Sequence, residues 1–99
     1  MRLEFDWDPA NAQTNSAKHG LNFYQAMDVF ADPLALSRLD DPPVSSEERW
    51  VTVGRVQMGV LTVVHTHVEL AGDRIAIRII SARHATRREA RQYEEGMEL

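Results

Sequence analysis

Between Arg74 and Arg91 the chain carries Arg74, Arg78, Arg83, Arg87, Arg88 and Arg91 against one acidic residue, Glu89. The local charge is +5, in a protein whose net charge is -4. A guanidinium is always charged and presents a planar fork of N–H donors that matches phosphate and carboxylate oxygens. The segment therefore predicts an anion-binding surface. Thr86 and Glu89 form a Thr-x-x-Glu capping box, so a helix should start near Arg87 and run to about Glu95. Its dipole already places about half a positive charge at that end, and Arg87 and Arg88 add repulsion that an incoming anion would relieve. Arg83 and His84 stand just before the cap, so three guanidiniums, an imidazole and several unpaired backbone N–H groups meet at one helix entrance. The competing reading is that Glu89, Glu94 and the acidic amino-terminal half already neutralise these side chains.

A second group sits near the start of the chain, where Asn15, Lys18 and His19 fall at i, i+3 and i+4 on one helix face. Near a helix C-terminus cations are favoured by the dipole, which is a structural reason for Lys18 and His19. Their functional reading is a phosphate contact from Lys18 and a proton-transfer group in the imidazole of His19. His65 and His67 share one strand face and, with Arg74 and Arg78 on the next strand, would build an Arg and His surface if the register allows it. The alternative is two partly exposed strand histidines. His-x-His can also be a metal pair, but no convincing third or fourth ligand accompanies it. Tyr93 can stack on a base, or pack in the core with Ala90 and Met97 at helical spacing. No phosphate loop, nucleophile elbow or zinc-protease helix motif is present.

Ninety-nine residues, 43% hydrophobic and 26% charged, suit one folded domain spanning 1–99. With no cysteine there is no disulfide framework, thiolate zinc site or thiol nucleophile, and a reducing cytoplasm is expected. The longest mostly apolar run, Gly59 to Val64, is far below the roughly 20 residues that span a bilayer, so no membrane role is expected. Residues 1–50 carry four Lys/Arg against nine Asp/Glu, and 51–99 carry seven Arg against six. The acidic whole argues against a general nucleic-acid coat protein, while the local arginine cluster still suits a few phosphates.

The elements that must position these groups read as follows. Arg2 to Trp7 alternates as a strand, with Leu3, Phe5 and Trp7 on one face. Asp8-Pro9 caps and opens a helix running to about His19, Gly20 stops it, and Asn22 caps a second helix whose Phe23, Ala26, Met27 and Phe30 form a buried stripe before Asp32-Pro33. Asp40 to Ser46 reads as a loop. Leu34–Leu39, Arg49–Arg55, Gly59–Val68 and Arg74–Ala82 read as strands, with hairpin turns at Gly54–Gly59 and Glu69–Asp73. Arg74, Ala76, Arg78 and Ile80 should share one strand face, and Ile75, Ile77 and Ile79 the other. The order βααββββα predicts an α+β fold: a twisted antiparallel sheet with the two N-terminal helices and the C-terminal helix against one face.

Several blocks in this order resemble the BrnT family, ribonuclease toxins of bacterial type II toxin–antitoxin systems with a RelE-like fold. They are Phe5-Asp6-Trp7-Asp8-Pro9; Asn15 with Lys18-His19-Gly20 and Phe23; Val29-Phe30-Ala31-Asp32-Pro33; Glu47-Glu48-Arg49-Trp50 through Gly54; and Arg78 through Glu89 followed by Tyr93-Glu94. The sequence departs from the family pattern at Asn11, at Pro43-Val44, and at His84, where Lys is frequent. The resemblance implies metal-independent RNA cleavage by the substrate's own 2′-hydroxyl, with no cofactor. It carries Lys18, His19, Arg49 and Arg83 over as active-site positions, with Arg78 and Arg87 as phosphate contacts. His84 joins them on its own chemistry, as an acid or base near pH 7. The implied partners are RNA and a BrnA-type antitoxin protein, through which alone operator DNA would be contacted. The rival function is a noncatalytic module that binds an acidic or DNA-binding protein in transcriptional regulation.

Overall fold

The alternation of Leu3, Phe5 and Trp7 with charged neighbours yields the opening strand, β1 (Arg2–Trp7). Asp8 then turns the chain into α1 (Pro9–His19): its carboxylate accepts the Ala10 N–H at 2.8 Å, and Pro9 takes the first helical position. Gly20 ends α1 at φ +70°, its N–H donating to the Ser16 carbonyl. Asn22 opens α2 (Phe23–Met27) through a reciprocal capping box with Gln25. A 3-10 turn (Asp28–Ala31) follows. The remaining elements are β2 (Leu36–Leu39), β3 (Trp50–Val56), β4 (Gly59–His65), β5 (Val68–Leu70), β6 (Arg74–His84) and α3 (Arg87–Glu95). The computed structural model describes residues 1–40 and 48–99. The expected loop beyond Asp40, with Pro43, Val44 and Glu47, lies outside the described residues.

The fold is α+β, but the sheet is mixed rather than wholly antiparallel. Its order is β1-β6-β4-β3-β2, with β5 beside the start of β6. β1 runs parallel to β6, from Arg2 opposite Arg74 to Trp7 opposite Ile79, and the other pairings are antiparallel. Alternation marks which residues share a face but not strand direction, and β1 meets a partner some seventy positions away. The expected strand over Gly59–Val68 divides into β4 and β5, because the register shifts at Val64/His65 and Thr66 and His67 leave the ladder.

The helices do not all lie on one face. Directly paired residues share a face, so Thr52, Val63 and Ala82 form one row. That face packs against α1, α2 and the 3-10 turn, burying Leu21, Phe23, Ala26, Val29, Leu61, Val63, Ile77, Ile79 and Ala82. The opposite face presents Val53, Thr62 and Arg83, and α3 crosses it; Val51 and Val53 there are 4% and 0% exposed. Met27 and Phe30 are only partly buried, Phe30 against Phe5 with ring centroids 5.4 Å apart.

Gly54 is not a turn residue. It sits inside β3 beneath the 3-10 turn, where a Cβ would stand 2.9 Å from Val29 Cγ1 and 3.1 Å from the Val29 carbonyl oxygen. The hairpin turn is Gln57-Met58, between paired Val56 and Gly59. α3 matches its expected bounds, with the Thr86/Glu89 box formed and Gly96 as the left-handed stop at φ +67°. That stop takes Met97 out of helical phase, so Met97 is 51% exposed rather than in the core, while Tyr93 is buried.

Candidate functional site

Strict alternation along β6 would set Arg78 and Arg83 on opposite faces, since they are an odd number of residues apart. The ladder shows why they are not: His65 pairs with Ile79 and Val64 with Ser81, so Ile80 is an extra residue, a β-bulge. The bulge reverses the parity of everything after it. Arg74 and Arg78 before it, and Ser81 and Arg83 after it, then share the face crossed by α3. Arg38 joins the same face through the row Arg38, Val51, Val64, Ser81. Sequence reading missed Arg38; its signal was the alternation of β2 read against a register unknown without the sheet.

The arginines differ in what holds them. Arg83 and Glu89 form a fork-to-fork pair at 2.7 and 3.1 Å, and Arg83 Nη1 also reaches the His84 carbonyl at 3.4 Å. Glu89 further accepts from the Thr62 hydroxyl and the Thr86 N–H. The hydrogen bonds from Arg83 hold its carboxyl far below the ordinary range, at about 2, and Glu89 in turn raises Arg83. Arg74 lies 3.3 Å from Glu4, and exposed Arg78 lies 3.3 Å from Asp6. The competing reading of neutralisation thus holds for Glu89 and for the carboxylates of β1. Glu94 instead stands 3.7 Å from Arg55. Arg87, Arg88 and Arg91, exposed on α3, make no ion pair among the described residues. Arg38, Thr86, Arg88, Glu89 and Gln92 line a polar cleft of about 320 Å³ between β2 and α3.

Lys18 and His19 come to β6 from its other edge, where β1 has already ended. Buried Asn15 takes the place of a strand there: its Oδ1 accepts the Ala82 N–H at 3.0 Å and its Nδ2 donates to the Ala82 carbonyl at 2.9 Å. This clamp seats the end of α1 against the bulge. Asn11, Thr14, Asn15, Lys18, His19, Ile80 and Ser81 then line one groove of about 250 Å³. Lys18 is exposed and His19 partly so. Ser81 links this groove to the arginine face, with Arg83 two residues beyond it.

Arg49 precedes β3 and is partly buried; its Nε is buried and without a hydrogen-bond partner among the described residues. His84 is exposed at the end of β6, paired opposite Leu61 and so on the face away from Arg83. Arg87 opens α3 beside the Arg83–Glu89 pair in sequence. The structure therefore brings Lys18, His19 and Ser81 to one groove, sets Arg78 and Arg83 on the sheet face that Ser81 shares, where Arg83 is held by Glu89, and turns His84 to the other face.

The His and Arg surface across two strands does not form. His65 is 3% exposed, on the core face with Ile79, its ring edge-on to Phe30 at 4.7 Å. Thr66 carbonyl lies 2.9 Å from Nδ1 and Thr52 Oγ1 2.6 Å from Nε2, which fits a neutral ring donating through Nδ1. Burial lowers its pKa. Both ring nitrogens are thereby used, and His67 is exposed outside the strand. Among the described residues no three of His, Cys, Asp and Glu gather. Tyr93 donates to Asp32 at 2.5 Å and lies under the Arg55 guanidinium, 5.6 Å from the ring centre, which makes it a packing residue.

This is a small α+β protein whose sheet presents Arg38, Arg74, Arg78 and Arg83 on one face, the last three paired with carboxylates. The family model for BrnT, the ribonuclease toxin of type II toxin–antitoxin systems, matches residues 7–89, and the chain belongs to that family. A toxin of this kind has an antitoxin protein as partner. No curated protein matches the chain. Among the described residues no helix is long and apolar enough to cross a membrane.

Proposed function

We propose that the chain is a metal-independent endoribonuclease on a RelE-like scaffold, cutting RNA at the bulged end of β6 and restrained by a BrnA-type antitoxin. The substrate's 2′-oxygen attacks the adjacent phosphorus, the bond to the 5′-oxygen breaks, and the products are a 2′,3′-cyclic phosphate and a 5′-hydroxyl. The proton leaves the 2′-hydroxyl to a base, and another is delivered to the departing 5′-oxygen. Such chemistry needs no protein nucleophile; it needs cations around a pentacoordinate phosphate and an acid–base pair.

In this reading Arg83 grips the scissile phosphate through the N–H groups that Glu89 leaves over. Arg78, Arg49 and Arg87 hold the flanking backbone. Lys18 adds charge from the edge of β6, and His19 moves the proton. His84, on the other face, contributes only by approaching around the end of the strand. The observation that supports the reading is the bulge at Ile80: it puts Arg78, Ser81 and Arg83 on one face, and Ser81 also lines the groove of Lys18 and His19.

The test is partner-free protein incubated with RNA and a chelator. Cleavage that Arg83→Ala abolishes in a folded protein supports it. A reversible, salt-sensitive shift of intact RNA would favour the noncatalytic module instead.

A further inference from the structure

A groove of about 540 Å³ is lined by Leu3, Phe5, Asp6, Trp7, Tyr24 and Met27. Phe5, Asp6 and Trp7 are consecutive strand residues, so their side chains leave opposite faces of the sheet. A groove touching all three must follow the outer edge of β1. β1 is the terminal strand of the sheet, so that edge has no strand partner among the described residues. Beside it Tyr24 is 70% exposed, held edge-on to Trp7 at 5.0 Å. An open edge flanked by a row of apolar side chains is a template for strand addition. Asp6 in the groove lining is already paired with Arg78, and the exposed carboxylates left beside it in the chain are Asp8, which follows Trp7, and Asp28, which follows Met27. They disfavour a phosphodiester and favour a cationic polypeptide.

We propose that this edge is where the antitoxin docks. An extended antitoxin segment adds a strand to β1, rests alternate apolar side chains on Leu3, Phe5, Trp7, Tyr24 and Met27, and turns lysine or arginine toward Asp8 and Asp28. The proposal rests on the family assignment, which makes the chain one half of a toxin–antitoxin pair, and is independent of the catalytic reading. Tyr24, exposed and seated edge-on against Trp7, is the expected anchor.

The experiment measures the affinity of the purified toxin for its antitoxin protein, with Tyr24→Lys as the probe. Leu34→Lys serves as control, because Leu34 is equally exposed but lies elsewhere. Tyr24→Lys is expected to weaken binding at least tenfold and Leu34→Lys less than twofold, with RNA cleavage by the free toxin the same in both. Amide exchange at residues 2–7 should slow in the complex. Unchanged affinity in Tyr24→Lys overturns the proposal, and so does equal loss in both variants or an unprotected β1. A toxin dimer that Tyr24→Lys dissolves also overturns it, by making a second copy the occupant. A toxin that binds normally but cuts no RNA would sink the catalytic reading and leave this one standing.

Discussion

Glu89→Gln separates what the carboxylate does for the fold from what it does to Arg83. The amide keeps an oxygen for the Thr86 N–H, so the helix cap survives while the ionic pair is lost. A carboxyl held at about 2 instead of 4.5 corresponds to about 3 kcal/mol at roughly 1.4 kcal/mol per pKa unit. The Arg83 side chain is 38% exposed, and solvent screening reduces the expected contribution to about 1–2 kcal/mol. Because the folded value is depressed, this stability is complete above about pH 5 and is lost as pH falls toward 2. Urea unfolding followed by tryptophan fluorescence should show the variant weaker by about 1–2 kcal/mol at pH 7, with the gap closing as pH approaches 2. A gap that stays constant across that range would refute the reasoning.

Asn15→Ala should destabilise by about 2–4 kcal/mol in urea, since it strands both the N–H and the carbonyl of buried Ala82. Gly54→Ala should cost about 1–3 kcal/mol by the same assay, because Val29 leaves no room for the added methyl. His65 has a folded pKa below its unfolded one, so stability should fall as pH drops below about 6.5. In His65→Gln that part of the pH profile should flatten, while a profile identical to the parent would remove His65 as its source.

Local signals were readable because their partners lie within a few residues: Asp8-Pro9, Gly20, Asn22 and the Thr86/Glu89 box each set a helix end where expected. What alternation could not carry was anything decided across the sheet. β1 pairs in parallel with a strand distant in sequence, and α3 crosses to the second face. Ile80 reads as one more apolar strand residue, yet as a bulge it decides which arginines stand together. Gly54 reads as a turn because nothing in its neighbourhood announces Val29 above it. His65 reads as half exposed because its partners, Thr52 and Phe30, come from other elements. Of the site, residue types and the helix-end groups were legible; the clamp by Asn15 and the membership of Arg38 were not.

In the proposed function, side chains around the bulge of β6 cut RNA through its own 2′-hydroxyl. The most direct measurement is the chemistry of the new ends after digestion of a short RNA in chelator, read by mass. The account predicts a 2′,3′-cyclic phosphate and a 5′-hydroxyl, and no cut where the scissile nucleotide is 2′-deoxy. A 3′-hydroxyl with a 5′-phosphate, or RNA left intact, would contradict it.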